Sequence, residues 1–216
     1  IGFFLVALVI LVTLYEFWRG TRARQRSQGE NFFTALARLT GRNHRRYGGY
    51  IIHISMMLMA IGILGIELFQ SETQGTLQVN QSLEVQGYQL VYKDIAQWDT
   101  SSVNHTRAVI QVYKNSQLLT ELYPRTDYYF DAQQNMTIPG VRSTLADDVY
   151  VLLVDWEPAS AIGATFKIYV NPLVNWLWIG SLLFLIGIII AAWPDKDPES
   201  VTVRASKTSR QTGAAD

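Results

Sequence analysis

Of the three histidines in the chain, His53 alone lies within a long apolar run, three residues inside the block Tyr50 to Phe69. Seven residues separate it from Arg46, which is about 10 Å along a helix axis. An ionisable side chain at that depth in a bilayer costs several kcal/mol unless it finds a partner, so such residues face a protein interior, a cavity or a cofactor. Three chemistries remain open to the imidazole: a hydrogen bond to a neighbouring helix, ligation of a metal or haem iron, or relay of a proton. Gly49, His53, Met56 or Met57, Ala60 and Leu64 recur at steps of three and four residues and share a helix face. Gly49 and Ala60 permit close approach there, by a flat ring or by another helix, while Gly62 and Gly65 point elsewhere. Met56 and Met57 can ligate iron, but methionine at such positions more often fills gaps in packing.

Below His53 stand Arg42, Arg45, Arg46 and Tyr47, joined to the helix through Gly48 and Gly49. Guanidinium groups two turns from an iron ligand can pair with carboxylates such as porphyrin propionates. The alternative is that they bind lipid headgroups and set topology.

These residues must be positioned by membrane helices. Apolar residues make up 49% of the 216, and they concentrate in the blocks Ile1 to Trp18, Tyr50 to Phe69 and Pro172 to Trp193. About 20 apolar residues cross a hydrocarbon core of about 30 Å, so each block is a candidate span and a purely soluble protein is excluded. The net charge of zero divides unevenly. From Arg19 to Arg46 there are eight arginines against Glu30 alone, a net +7, and from Gln70 to Asn171 eleven acids against six bases, a net −5. Short arginine-rich loops stay in the cytoplasm, so the acidic segment is expected outside. Trp18 and Trp193 fall at the inner boundary of this arrangement, Trp176 and Trp178 at the outer one. Ile1 lies already in an apolar run with no basic flank, which argues against a signal peptide, and the chain reads as the carboxy-terminal piece of a longer membrane protein. There is no cysteine, hence no disulfide framework.

Between Gln70 and Asn171 short alternating runs replace the long apolar ones. Strands are expected at 76–80, 83–86, 88–97, 108–114, 117–123, 136–139, 149–155 and 165–170, with Asn115-Ser116 as a two-residue hairpin turn. The fold class that follows is a membrane protein of α+β type, three transmembrane helices with a β-rich barrel or sandwich inserted between the second and third. Its segments are a helix at 1–18, a basic cytoplasmic loop at 19–49, a helix at 50–69, an extracytoplasmic β-rich domain at 70–171, a helix at 172–193 and a disordered cytoplasmic tail at 194–216. No spacing in the outer domain marks an active site, so no catalytic residue is assigned. His105 reads as a solvated loop histidine and Asp147-Asp148 as a solvated turn. Tyr123, Tyr128, Tyr129 and Phe130 either fill a core, the commoner role for strand aromatics, or present a contact surface.

The run Asn43-His44-Arg45-Arg46-Tyr47-Gly48-Gly49-Tyr50-Ile51-Ile52-His53 resembles the helix entry of the CcmF/NrfE family, the haem-handling membrane proteins of bacterial cytochrome c maturation. A second run, from Phe166 through Asn171-Pro172 to Gly180, resembles the family's last strand leading into its final helix. The resemblance implies a bacterial cytoplasmic-membrane protein with its 70–171 domain on the periplasmic side. It implies the C-terminal part of a cytochrome c haem lyase, which supports haem reduction, with quinol as the electron source, and covalent attachment to apocytochrome c. His53 is then the metal ligand of a b-type haem, with Arg45 and Arg46 as the further cofactor-binding residues, and the second axial ligand comes from an earlier helix. The haem chaperone CcmE and the apocytochrome-presenting CcmH are the implied partners beside the lipid bilayer, and no nucleic acid is expected. The family's tryptophan-rich haem-handling segment is absent from these residues, so the piece alone is not expected to catalyse attachment. Two other classes stay open: a non-enzymatic membrane-anchored module whose outer β domain recruits a partner protein, and a transporter piece with His53 as proton relay.

Overall fold

The structure, a computed structural model, describes residues 1–156 and 163–194. Three helices in it are long and apolar enough to cross a membrane: α1 (Gly2–Gln28), α3 (His44–Phe69) and α4 (Val174–Ala192). At 1.5 Å per residue α1 is about 40 Å long, more than a hydrocarbon core needs, so its arginine-rich end continues past the apolar stretch. Within the basic segment lies a further helix, α2 (Phe32–Arg42). Its Ala35, Leu36 and Leu39 fall on one stripe, and Ala35 is fully buried. The helix stops where the Asn43 N–H donates to the Leu39 carbonyl at 3.1 Å. The expected disordered tail lies outside the described residues from position 195 onward.

The chain divides into two compact units. The first comprises Ile1–Val12 and Ile54–Leu183, the second Thr13–His53 and the residues from Phe184. Among the described residues of the first unit, ten antiparallel strands make two sheets. One has the order β1 (Ser71–Leu77), β10 (Ala164–Pro172), β9 (Asp147–Trp156), β8 (Gly140–Ser143). The other runs β2 (Ser82–Val85), β3 (Tyr88–Asp99), β4 (Val103–Lys114), β6 (Arg125–Tyr129), β7 (Gln134–Ile138), with β5 (Gln117–Leu122) also on β4. Period-two alternation sends one face of each sheet inward. Val149, Val151 and Leu153 of β9 and Phe166, Ile168 and Val170 of β10 meet Leu90, Ile110 and Val112, all essentially without solvent exposure. The Phe166 ring lies 5.1 Å from that of Tyr92, whose phenol burial pushes above its ordinary pKa. Phe166→Ala removes the largest of these side chains and is expected to cost the sandwich about 3–5 kcal/mol, read as a drop in denaturant midpoint at unchanged slope.

The Asn115-Ser116 hairpin forms as expected, with φ of 51° and 61°, joining Lys114 to Gln117. Both residues adopt the left-handed geometry of a primed turn without a glycine. Strands β6 and β8 carry no apolar alternation and were not anticipated. In β6 the inward position is Thr126, whose hydroxyl donates to the Leu153 carbonyl of the facing sheet at 3.1 Å, and a hydrogen bond replaces a hydrophobic contact there.

Asp147 and Asp148 are not a solvated turn. Asp147 accepts from the Tyr88 hydroxyl at 2.9 Å, and Asp148 accepts from Asn175 Nδ2 at 2.8 Å. Trp176 Nε1 donates to the Leu145 carbonyl at 3.0 Å. The start of α4 is thereby tied to the loop before β9, and Gln86 Nε2 ties the end of α3 to β2 by donating to the Phe69 carbonyl at 2.8 Å. The same first unit holds the close contact of α3 with α4. A Cβ on Gly62 would stand 2.7 Å from the Leu177 nitrogen, and one on Gly180 2.7 Å from the Ser55 carbonyl oxygen.

Candidate functional site

In the second unit the entry of α3 carries the residues singled out for chemistry. Arg46, Tyr50 and His53 sit at i, i+4 and i+7 and therefore share a face. Arg46 Nε donates to the Tyr50 hydroxyl at 2.9 Å, and its Nη2 pairs with Glu16 of α1 at 3.2 Å. Glu16 also pairs with Arg19 at 3.3 Å. The aromatic rings below close round this joint, with Phe17 5.2 Å from Tyr47 and 5.6 Å from Tyr50. A Cβ on Gly20 would meet the Tyr47 hydroxyl at short range, so glycine here lets the α1 backbone approach α3. In the sequence Glu16 is a single acid inside the apolar block Ile1 to Trp18. Its partnership with Arg46, thirty positions away, left no local signal.

The His53 side chain is exposed and makes no hydrogen bond or ion pair with any other described residue. Nothing lies within 4 Å of a Cβ built on Gly49, one turn below. Arg45 is exposed. Among the described residues no group of three or more His, Cys, Asp or Glu could hold a metal ion. The described donors therefore do not by themselves suit a metal, whereas a single unpartnered imidazole suits one axial position on a porphyrin iron completed by another segment. His53 fits a haem as one of two axial ligands. On the opposite side of α3, Ser55, Met59 and Gly62 are covered by α4.

The basic segment is ordered by its one acid. Glu30 accepts from Arg24 Nε at 3.0 Å and also from Arg38, and the Arg24 hydrogen bond first of all holds its carboxyl below the usual carboxylate range. Positive φ at Gly29 makes the sharp joint between α1 and α2.

In the sandwich, His105 is not a loop residue. It lies in β4 with Nδ1 2.7 Å from Asp127 Oδ1, and its ring stacks on Trp98 with centroids 5.1 Å apart. Of the aromatics that follow β5, Tyr128 is half-buried with its ring 5.9 Å from that of Phe130, whereas Tyr123, Tyr129 and Phe130 are 38–49% exposed. The last three present a surface.

Comparison with known proteins places this architecture. Residues 68–172 match the family model described as the CcmF C-terminal beta-sandwich. Cytochrome c-type biogenesis protein CcmF of Pseudomonas fluorescens is 26% identical over 191 residues, 88% of this chain and 27% of that protein. The chain resembles the C-terminal portion of CcmF and NrfE proteins. Another relative, probable cytochrome c-type biogenesis protein NrfE of Escherichia coli, is 24% identical over 146 residues, 68% of this chain and 26% of that one. The solved structure titled cytochrome c heme lyase CcmF shares the fold with a TM-score of 0.62 at 18% identity, over 85% of this chain and 34% of that chain. The chain thus spans about a quarter of the length of the CcmF and NrfE relatives it matches. It is a multi-pass membrane protein in which a β sandwich stands between the second and third apolar helices, the fold class read from the sequence.

Proposed function

We propose that this chain is the carboxy-terminal part of a protein of bacterial cytochrome c biogenesis, and that His53 holds a b-type haem in the cytoplasmic membrane. The observation that carries the reading is the unpartnered imidazole of His53 in the apolar stretch of α3. A polar ring left without a hydrogen bond in an apolar medium costs ~1–3 kcal/mol, and ligation of iron offsets that cost. When bound, the haem supplies one-electron chemistry, consistent with a role in keeping haem reduced for attachment to apocytochrome c.

The chain's own residues orient and tune. Helix α3 presents Nε2 or Nδ1 of His53 at a fixed height, and Gly49 leaves room on the same face. Arg46 and Arg45 offer positive charge two turns below for propionates. Glu16 fixes the Arg46 guanidinium through Nη2 while neutralising part of its charge. The sandwich is assigned to the periplasmic side by the contrast between the +7 basic segment and the −5 outer one. There it stands where CcmE, CcmH and apocytochrome c would meet it.

The test is the absorbance spectrum of the purified full-length protein, which loses its b-type bands when His53 is replaced by Ala. The propionate assignment is tested separately. Positive charge near the haem favours the reduced form, so Arg45→Gln with Arg46→Gln is expected to lower the midpoint potential by roughly 60 mV, a tenfold shift in a one-electron equilibrium. Glu16→Gln, which removes the opposing charge, is expected to raise it. An unchanged potential in both variants assigns the arginines to lipid headgroups instead.

A further inference from the structure

The outer face of the six-stranded sheet has a feature that haem ligation leaves unused. Register aligns Trp98, His105, Asp127 and Met136 across four neighbouring strands. Two residues further along, Arg107 and Arg125 stand opposite each other on β4 and β6. Thr106 and Thr126, the intervening residues, turn inward and are buried, so the row that holds His105 and Arg107 turns outward. Asp127 is nevertheless only 2% exposed, because its neighbours on the face cover it. His105 Nδ1 approaches it at 2.7 Å and Arg125 Nε at 3.0 Å. The one carboxylate of the row is consumed by these two groups.

Arg107 is left over. It is exposed and forms no ion pair with any described acid. Its guanidinium is instead held between two aromatic rings, 5.5 Å from the Trp98 centroid and 5.6 Å from that of Tyr123. Trp98 is in turn fixed by its stack on His105, and the Tyr123 hydroxyl donates to Glu121 at 2.9 Å. Flexible arginines lose rotamer freedom on binding; one already clamped by two rings loses less. Arginine, tryptophan and tyrosine are also the residue types that dominate binding energy at protein interfaces. The formal charge of the row is +1, from Arg107 and Arg125 against Asp127, on a segment whose net charge is −5. A local cationic spot framed by exposed aromatics on an acidic domain complements one kind of occupant.

We propose that this face docks an extended segment of a partner protein through a carboxylate side chain, which pairs with Arg107 while an adjacent apolar or aromatic residue packs on Trp98 and Tyr123. The imidazole of His105, oriented by Asp127, leaves Nε2 available to the same segment. The inference is independent of the haem assignment, since nothing in it involves α3.

Selection of a phage-displayed library of twelve-residue peptides on the full-length protein in nanodiscs tests it. The selected pool is expected to be enriched at least twofold in Asp or Glu next to an aromatic residue, and the enrichment is expected to vanish on Arg107→Gln. The best clone, made as a labelled peptide, is expected to bind at least tenfold more weakly to Arg107→Gln and Trp98→Ala, and to lose the same affinity when its own acid becomes amide. Lys93→Gln, an equal charge change on the same sheet, is expected to leave binding unaltered. Thermal unfolding of each variant confirms that the sandwich persists. A pool without acidic enrichment, enrichment that survives Arg107→Gln, or self-association of the protein lost on Trp98→Ala would each overturn the proposal, the last in favour of a second copy as occupant.

Discussion

Replacing His53 with glycine is expected to remove the b-type absorbance of the full-length protein, and imidazole added to the purified variant is expected to restore it. The argument starts from the backbone. His53 lies nine residues into α3 and sixteen before its end, so a glycine there costs the helix about 1 kcal/mol, too little to unravel a span whose apolar residues have nowhere better to go. The side chain makes no hydrogen bond to another described residue, so its loss breaks no internal network. What disappears is one nitrogen donor and the volume of a ring, and free imidazole can refill both. A purely structural histidine, bonded to a neighbouring helix, would instead show lowered stability and no spectral change. His53→Met separates ligand exchange from ligand loss: a thioether in the axial position raises the midpoint potential while retaining haem. An unaltered spectrum in the glycine variant would transfer the iron to another ligand and remove the central residue of the functional proposal.

What the sequence disclosed and what it withheld follow one physical division. The three apolar helices were legible because a membrane span is a local property, a matter of consecutive residues with the right transfer energy. His53 was legible for the same reason, as one polar residue in an apolar run. The strands that carry the core, such as Val149 to Leu153 and Phe166 to Val170, showed their alternation openly. Strand β6 did not, because Thr126 turns inward and is satisfied by a hydrogen bond to Leu153 in the other sheet. Helix α2 hides among arginines, its apolar stripe being Ala35, Leu36 and Leu39. The pairs that organise the sites, Glu16 with Arg46 and His105 with Asp127, join residues 30 and 22 positions apart. Only folding brings them together, and His105, flanked by Asn104 and Thr106, looks like a loop until β4 is paired on both sides.

Gly180→Leu is expected to damage the helical part severely. Helices in lipid gain no hydrophobic energy from meeting each other, so their association rests on close packing at small residues. A Cβ on Gly180 would stand 2.7 Å from the Ser55 carbonyl oxygen and 2.8 Å from the Met59 nitrogen, and these are backbone atoms that cannot swing aside. Gly62 makes the reciprocal approach to Leu177, so α3 and α4 interlock over two turns through paired glycines. The Ser181 hydroxyl, which donates to the Leu177 carbonyl at 2.8 Å and stands 3.5 Å from Met59 Sδ, is turned toward the same seam. Overpacking of a well-filled contact costs about 1–3 kcal/mol and more when backbone must move, which puts Gly180→Leu at or above the upper figure. Because Asn175 and Trp176 tie the start of α4 to the sandwich, displacement of α4 also strains the loop before β9. The expected observation is a fall in the thermal midpoint in detergent well beyond that of Gly180→Ala. Gly41→Ala, where a Cβ meets nothing within 4 Å, is expected to be neutral or slightly stabilising. A Gly180→Leu protein as stable as the parent would mean that α4 is not seated on Ser55 and Met59 in the membrane.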